Sequence, residues 1–226
     1  MLKTQTGWLG REFIALSCEG DGRGTATQET DGLFDRMRRE LAGAGLTLEH
    51  VVRTRLWGRD RASRDSGSDV RAKTLVDGAR SASSSYIASD HFERPDARVA
   101  LDLLAIKLPR PPRKTIADNN PPRTPIRYLT IDDLVVVSGM TCQLATLDQQ
   151  LADILPRVGK ALSEAGSGWH KVARMSGYLH RSQSAEALKA GIARWTTTFP
   201  PELEIAFVDG YSAEHKLIEI ETTALR

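Results

Sequence analysis

Two stretches decide the reading, RMRRELAGAGLTLEHVVRTRLW (residues 36–57) and PRVGKALSEAGSGWHKVARMSGY (156–178). At one constant offset, Leu41, Gly45, Val51, Arg53 and Trp57 fall on Leu162, Gly166, Val172, Arg174 and Tyr178. The same offset carries Ser17 of FIALSC onto Ser138 of VVVSGM. A single spacing kept over this length marks a duplicated module. Between the copies, PRPPRKTIADNNPPRTP (109–125) holds six of the ten prolines, a density that neither a helix nor a central strand tolerates. The chain is therefore read as a first domain over 1–108, an extended linker over 109–125 and a second domain over 126–226.

Each copy carries the same coarse pattern. FIALS and LVVVS are apolar runs of strand length. Leu33, Met37 and Leu41, then Leu151, Ile154, Leu155, Val158 and Leu162, recur at helical spacing and stop at Ala-Gly pairs ending in Gly45 and Gly166. Pro156 inside the second run predicts a kink. HVVRTRLW and KVARMSGYL alternate as half-buried strands. A further helix is well patterned in SAEALKAGIARW and sparse in apolar residues in RASRDSGSDVRAKTLV. Two strands close each copy: ARSASSSYI with RVALDLLAI, and ELEIAFV with KLIEIETTAL. The order is ββαβαββ twice, an α+β class in which the helices pack on one face of a mixed sheet.

Composition narrows the partners. The 226 residues carry 31 Lys and Arg against 29 Asp and Glu, a balance with no strong pull toward nucleic acid or an anionic membrane. No apolar run has the length of a signal peptide or of a bilayer span, and Cys18 and Cys142 form no disulfide framework, so a cytoplasmic setting is expected. The five histidines show no metal-ligand spacing, and the cysteines have no histidine at a recognisable distance. They are expected to be buried, inert thiols. GDGRG (20–24) lacks the lysine and the strand–helix context of a phosphate loop and reads as a flexible turn. The arginines of RTRLWGRDRASR are interspersed with aspartate and read as a solvated face rather than an RNA platform.

The junction AGAGLTLEHVVRTRLW, the ARS at 79–81 and the terminal IEIETTAL (218–225), occurring in this order, resemble the Rid (YjgF) family of reactive-intermediate deaminases in tandem form, a chorismate mutase-like arrangement. The likeness covers nearly all of both halves outside the linker. It implies cofactor-free hydrolysis of small carboxylate-bearing imines or enamines to 2-oxo acids and ammonia, at clefts between adjacent units of a threefold ring. On that pattern Arg80 pairs with the substrate carboxylate, Ser17 lines the cleft, and Asp102 or Glu221 helps place the attacking water. Pro201 or Glu202 stands where the second copy would need its arginine, and neither half has the family's GPYxQ motif. The resemblance also implies a homo-oligomer, three tandem chains forming a pseudo-hexamer. In a ring that mixes the copies, Arg80 would face Ser138 or Glu221.

Elementary chemistry leaves alternatives beside that pattern. A guanidinium holds a carboxylate through two parallel hydrogen bonds. If residues 79–87 form a strand, Arg80, Ala82, Ser84 and Tyr86 share a face, small apart from the phenol, that suits a small anion. Otherwise Arg80 is a solvated arginine or a partner of Asp77. Asp102, flanked by apolar residues in VALDLLAI, is either paired with an arginine such as Arg98 or set to exchange a proton with water. Glu219 and Glu221 share a strand face, so at least one is expected to face a cleft or solvent, solvent being the favoured of the two. Imine hydrolysis needs only a positioned water and a neutralised carboxylate, so no nucleophile triad, cofactor or metal is called for. The leading expectation is a hydrolase or deaminase of a specialised pathway, secondary or aromatic. The alternatives are a chorismatase-like enzyme acting on an enolpyruvyl substrate, and a non-catalytic binder or scaffold.

Overall fold

The protein is described here by a computed structural model covering residues 1–196 and 202–226. The chain divides into two units, Met1–Lys114 and Thr115–Arg226.

The first unit runs β1 (Leu2–Trp8), β2 (Arg11–Glu19), α1 (Ala26–Gly43), β3 (Val51–Gly58), α2 (Arg61–Thr74), β4 (Ala82–Ile87) and β5 (Val99–Ile106). Its sheet has the order β1-β2-β5-β3-β4. All neighbours are antiparallel except β3 and β4, whose parallel pairing requires the crossover that α2 supplies. Alternate residues of the central strands, among them Ile14, Leu16, Leu101 and Leu103, pack against Leu33, Phe34, Met37 and Leu41 of α1 and Val70 of α2.

The second unit repeats the order with β7 (Tyr128–Ile131), β8 (Leu134–Met140), α3 (Leu147–Glu164), β9 (Val172–His180), α4 (Ala185–Trp195), β10 (Glu202–Val208) and β11 (Ile218–Leu225). A short strand, β6 (Thr115–Ala117), precedes them and pairs with β7, giving the sheet β10-β9-β11-β8-β7-β6. The sequence reading did not separate this strand from the Pro-rich stretch. Its core joins Val135, Val137, Ile218 and Ile220 to Leu151, Ile154, Leu155 and Val158. Burying each such side chain contributes about 1.5–3 kcal/mol.

The duplication extends to the helix ends. Thr25 and Thr146 each close a capping box, accepting from the backbone N–H of Gln28 and Gln149, whose side chains accept from the threonine N–H groups in return. At the other ends, Gly45 and Gly166 take positive φ, and the two residues at each stop close the Schellman pattern: Leu46 N–H to Leu41 O at 2.8 Å, and Ser167 N–H to Leu162 O at 2.8 Å. α3 runs unbroken through Pro156. The apolar-poor α2 forms because Asp60 caps it and because small residues suffice: a Cβ on Gly67 would sit 3.0 Å from Leu56.

Candidate functional site

Strand register assembles the site in the first unit. Ser17 of β2, Asp102 of β5, Arg55 of β3 and Ser84 of β4 stand side by side across four strands, on the sheet face away from the helices. The next row toward the C-terminal end of β3 places Trp57 between Ala100 and Tyr86, and the row before it places Arg53 between Leu104 and Ala82.

Asp102 is held by a residue that the sequence reading did not nominate. Trp57 Nε1 donates to Asp102 Oδ2 at 2.7 Å, a charge-assisted bond that fixes the carboxylate's orientation. The predicted pairing with Arg98 is not what Arg98 does. Its guanidinium lies 3.8 Å from the buried Glu29 and donates to Gly24 O. Trp57 is itself sandwiched, with Tyr86 at 5.2 Å and the His91 imidazole stacked at 3.9 Å and 16°. One face of the imidazole is lost to water against the indole, which lowers the His91 pKa, while the charges of Asp102, Asp90 and Glu19 oppose that shift. The loop carrying His91 is clamped by Arg59, which donates to Ala97 O, Ser89 O and Arg94 O and lies over the Phe92 ring at 4.6 Å. Nothing in the spacing of Trp57, His91 and Asp102 along the chain signals this arrangement. Only the pairing of β3 with β5 and the path of the 88–98 loop bring them together.

Arg80 lies elsewhere than on a strand. β4 begins at Ala82, and Arg80 ends the 3₁₀ turn Asp77–Ala79, with its N–H on Asp77 O. Asp77 takes φ +47°, a left-handed conformation unfavourable for a residue with a side chain. The turn's remaining carbonyls are capped by the Lys114 ammonium, which donates to Gly78 O at 2.9 Å and to Arg80 O at 3.0 Å. Burial pushes the Lys114 pKa down to about 8 against the pull of Glu49. The predicted face of Ala82, Ser84 and Tyr86 forms as expected and includes Arg53, Arg55 and Trp57, with Arg80 two residues ahead of it. Tyr86 is fully buried, and Ser84 lends its carbonyl to Arg71 of α2.

Of the arginines in RTRLWGRDRASR, read as a solvated face, Arg53 is buried and Arg64 reaches Ser85; Arg71, further along α2, is buried as well. GDGRG packs tightly: Gly22 leaves space that the Asp96 carboxylate fills, and Gly20 does the same for Glu29.

The second unit carries the equivalent row with different chemistry. Glu221 of β11 pairs with Ser176 of β9, which pairs with Glu204 of β10, while Ser138 lies at the bulge opposite Glu221. Ser176 Oγ donates to Glu204 at 2.7 Å. Glu219 and Glu221, of which at least one is expected to face a cleft or solvent, are buried at 6% and 1% exposure. Glu219 occupies the space beside Gly139 where a Cβ would stand, so its carboxylate is packed against main chain. Glu202 pairs with Arg174 in register as Ala82 does with Arg53, and it forms an ion pair with that arginine at 2.6 Å. It therefore stands at the place of Ala82 rather than of Arg80, and Pro201 lies outside the described residues. Among the described residues no group of three His, Cys, Asp or Glu is placed to hold a metal ion, and no helix is long and apolar enough to cross a membrane.

No protein-family model matches the chain, and no curated protein does. Among solved structures it is similar to a chorismatase, 15% identical over 94% of this chain and 74% of that one, with a TM-score of 0.63. A YjgF/YER057c/UK114-family protein from Mycobacterium tuberculosis is 25% identical over 50% of this chain and 99% of its own, with a TM-score of 0.46. A Rid-family protein from Yersinia pestis is 15% identical over 50% of this chain and 99% of its own, with a TM-score of 0.42. The chorismatase likeness runs through both units and shows the fold. In architecture the chain is a tandem of two α+β units, the fold it shares with the chorismatase.

Proposed function

We propose that the first unit binds a small carboxylate-bearing imine or enamine and hydrolyses it to a 2-oxo acid and ammonia. The observation that carries this reading is Asp102, a carboxylate held by Trp57 at 2.7 Å in a row with Ser17 and Arg55 on the sheet face away from the helices. A carboxylate fixed through one oxygen keeps the other for a water molecule. With the substrate as the iminium, which an enamine reaches by gaining a proton from solvent at its β-carbon, Asp102 takes a proton as that water adds and passes it to the nitrogen; as the C–N bond breaks and ammonia leaves, it takes the hydroxyl proton and the carbonyl forms. Arg80, just ahead of β4, neutralises the substrate carboxylate and sets the carbon against the water. In the second unit's row Ser176 is tied to Glu204 and Arg174 to Glu202, so those side chains are engaged differently from Arg55 and Arg53 of the first.

A second reading is favoured by the chorismatase likeness over 94% of the chain. The same acid–anchor pair would serve an enolpyruvyl ether, where protonation of the methylene carbon and addition of water release pyruvate and an alcohol. Supplying 2-aminoacrylate generated in situ and following pyruvate and ammonia separately tests both. Ammonia release above the buffer rate that is lost in Arg80→Ala and Asp102→Asn supports the imine reading. Pyruvate without ammonia from an enolpyruvyl ether supports the second. No acceleration of either, with Arg80→Ala biologically silent, leaves a binding or scaffold protein.

A further inference from the structure

The turn that presents Arg80 is poor at holding itself. It contains a left-handed aspartate, Asp77, and its two short-range backbone bonds run from Ala79 N–H to Val76 O at 2.9 Å and from Arg80 N–H to Asp77 O at 3.2 Å, neither of them to the carbonyl of Gly78 or of Arg80. A single group arriving from 34 residues downstream, the Lys114 ammonium, takes both. The turn Leu48–His50 packs alongside, and a Cβ placed on Gly78 would meet the Glu49 carboxylate at 3.2 Å. A side chain on Gly78 would push that carboxylate away. The charged groups around the ammonium are thus Glu49 from the neighbouring turn and, flanking the carbonyls it binds, Asp77 and Arg80.

We infer that Lys114 is a positioning residue for Arg80: its ammonium pins the two carbonyls bracketing the turn, so that the arginine leaves the main chain at a fixed point ahead of β4. This rests on the anion-binding reading of Arg80 above. A residue kept for stability alone would be a poor choice here. With the amine's pKa brought down to about 8 from 10.5, the unfolded chain binds that proton more tightly than the folded one. Stability therefore rises with pH between those values, and the charged amine works against folding at neutral pH. The charge is retained at the one place where it organises the turn, as is common where local strain serves a site.

The test compares the wild type with Lys114→Met, Lys114→Arg and Arg80→Ala. It uses amide hydrogen exchange at Ala79 and Arg80, thermal unfolding, and titration with pyruvate from pH 6.5 to 9.5. Lys114→Met is expected to unfold at pH 7 no earlier than the wild type. Its Ala79 and Arg80 amides should exchange about tenfold faster, and its pyruvate affinity should fall by about tenfold, the equivalent of one lost charge-assisted bond. Wild-type affinity should fall above about pH 8 as Lys114 loses its proton. Lys114→Arg, which stays charged throughout, should retain binding and lose that limb. Unchanged exchange at both amides in Lys114→Met overturns the inference, as does a lowered melting temperature with the wild-type pH limb intact. If Arg80→Ala binds pyruvate as the wild type does, the anion-site reading fails instead, and the amide exchange alone then decides whether Lys114 braces the turn.

Discussion

Replacing Trp57 with phenylalanine removes one N–H and one ring while leaving an aromatic between Tyr86 and His91. The deleted bond to Asp102 is 2.7 Å long and charge-assisted, a class that contributes about 1.5–3 kcal/mol. Asp102 retains partial access to water, which returns some of that and places the loss near the lower end. Trimming the indole, which is only 5% exposed, adds about 1 kcal/mol of lost burial. The variant should be less stable by about 2–3 kcal/mol in urea unfolding. The decisive measurement is a double-mutant cycle with Asp102→Asn. If the indole orients the carboxylate, the two changes share one interaction and their coupling should reach about 1 kcal/mol or more. A coupling below about 0.3 kcal/mol would mean that Trp57 merely fills space, and the oriented carboxylate on which the proposed chemistry stands would be refuted.

Other outcomes follow from packing and caps. Gly58→Ala would put a Cβ 2.4 Å from the Arg64 backbone nitrogen and 2.5 Å from its Cα, so the start of α2 must move; a loss of about 2–3 kcal/mol is expected in denaturant, and wild-type stability would contradict the close approach. Thr25→Ala and Thr146→Ala each delete a capping box and should each lower stability by about 1 kcal/mol, with the double variant additive because the caps belong to separate units. Cys142 should resist alkylation: burial, with Asp153 beside it, pushes its thiol from 9.0 up to about 11, so at pH 8 the thiolate is about a hundredfold scarcer than for an ordinary cysteine. Iodoacetamide labelling at the unfolded-chain rate would show the site to be open. Tyr211, whose phenol donates to Tyr178 O at 2.7 Å and whose pKa is raised mainly by burial, should give no phenolate absorbance in alkali until the protein unfolds.

The features legible in the sequence are those set by local physics. Helix spacing and glycine stops depend on residues within a few positions of one another, and in a duplicated chain each is written twice. Gly45 and Gly166 could be read as helix ends because a left-handed C′ position selects glycine regardless of what packs nearby. Asp102 was marked by its own setting, a carboxylate in an apolar run. The errors lie where short range stops being informative. ARSASSSYI was read as one strand, yet the strand begins only at Ala82, and Ala79 and Arg80 close a turn that is held by Lys114, far along the chain and inside a stretch read only as linker. Arginines that look solvated in RTRLWGRDRASR are engaged instead, Arg59 by carbonyls of the 88–98 loop and Arg64 by Ser85 of β4.

Local pattern alone set out the repeated ββαβαββ order and the helix-spaced apolar residues, because periodicity is a property of neighbouring residues. Tertiary structure alone decided what Asp102 touches. Its partners Trp57, Arg55 and Ser17 come from strands that adjoin β5 only once the sheet's order β1-β2-β5-β3-β4 is set, and that order depends on crossovers no local pattern encodes. The contrast between the two units has the same origin. Glu202 and Glu204 neutralise Arg174 and engage Ser176 because β10 pairs with β9, so a chain that reads as two copies of one module folds into one candidate site and a second unit with different chemistry.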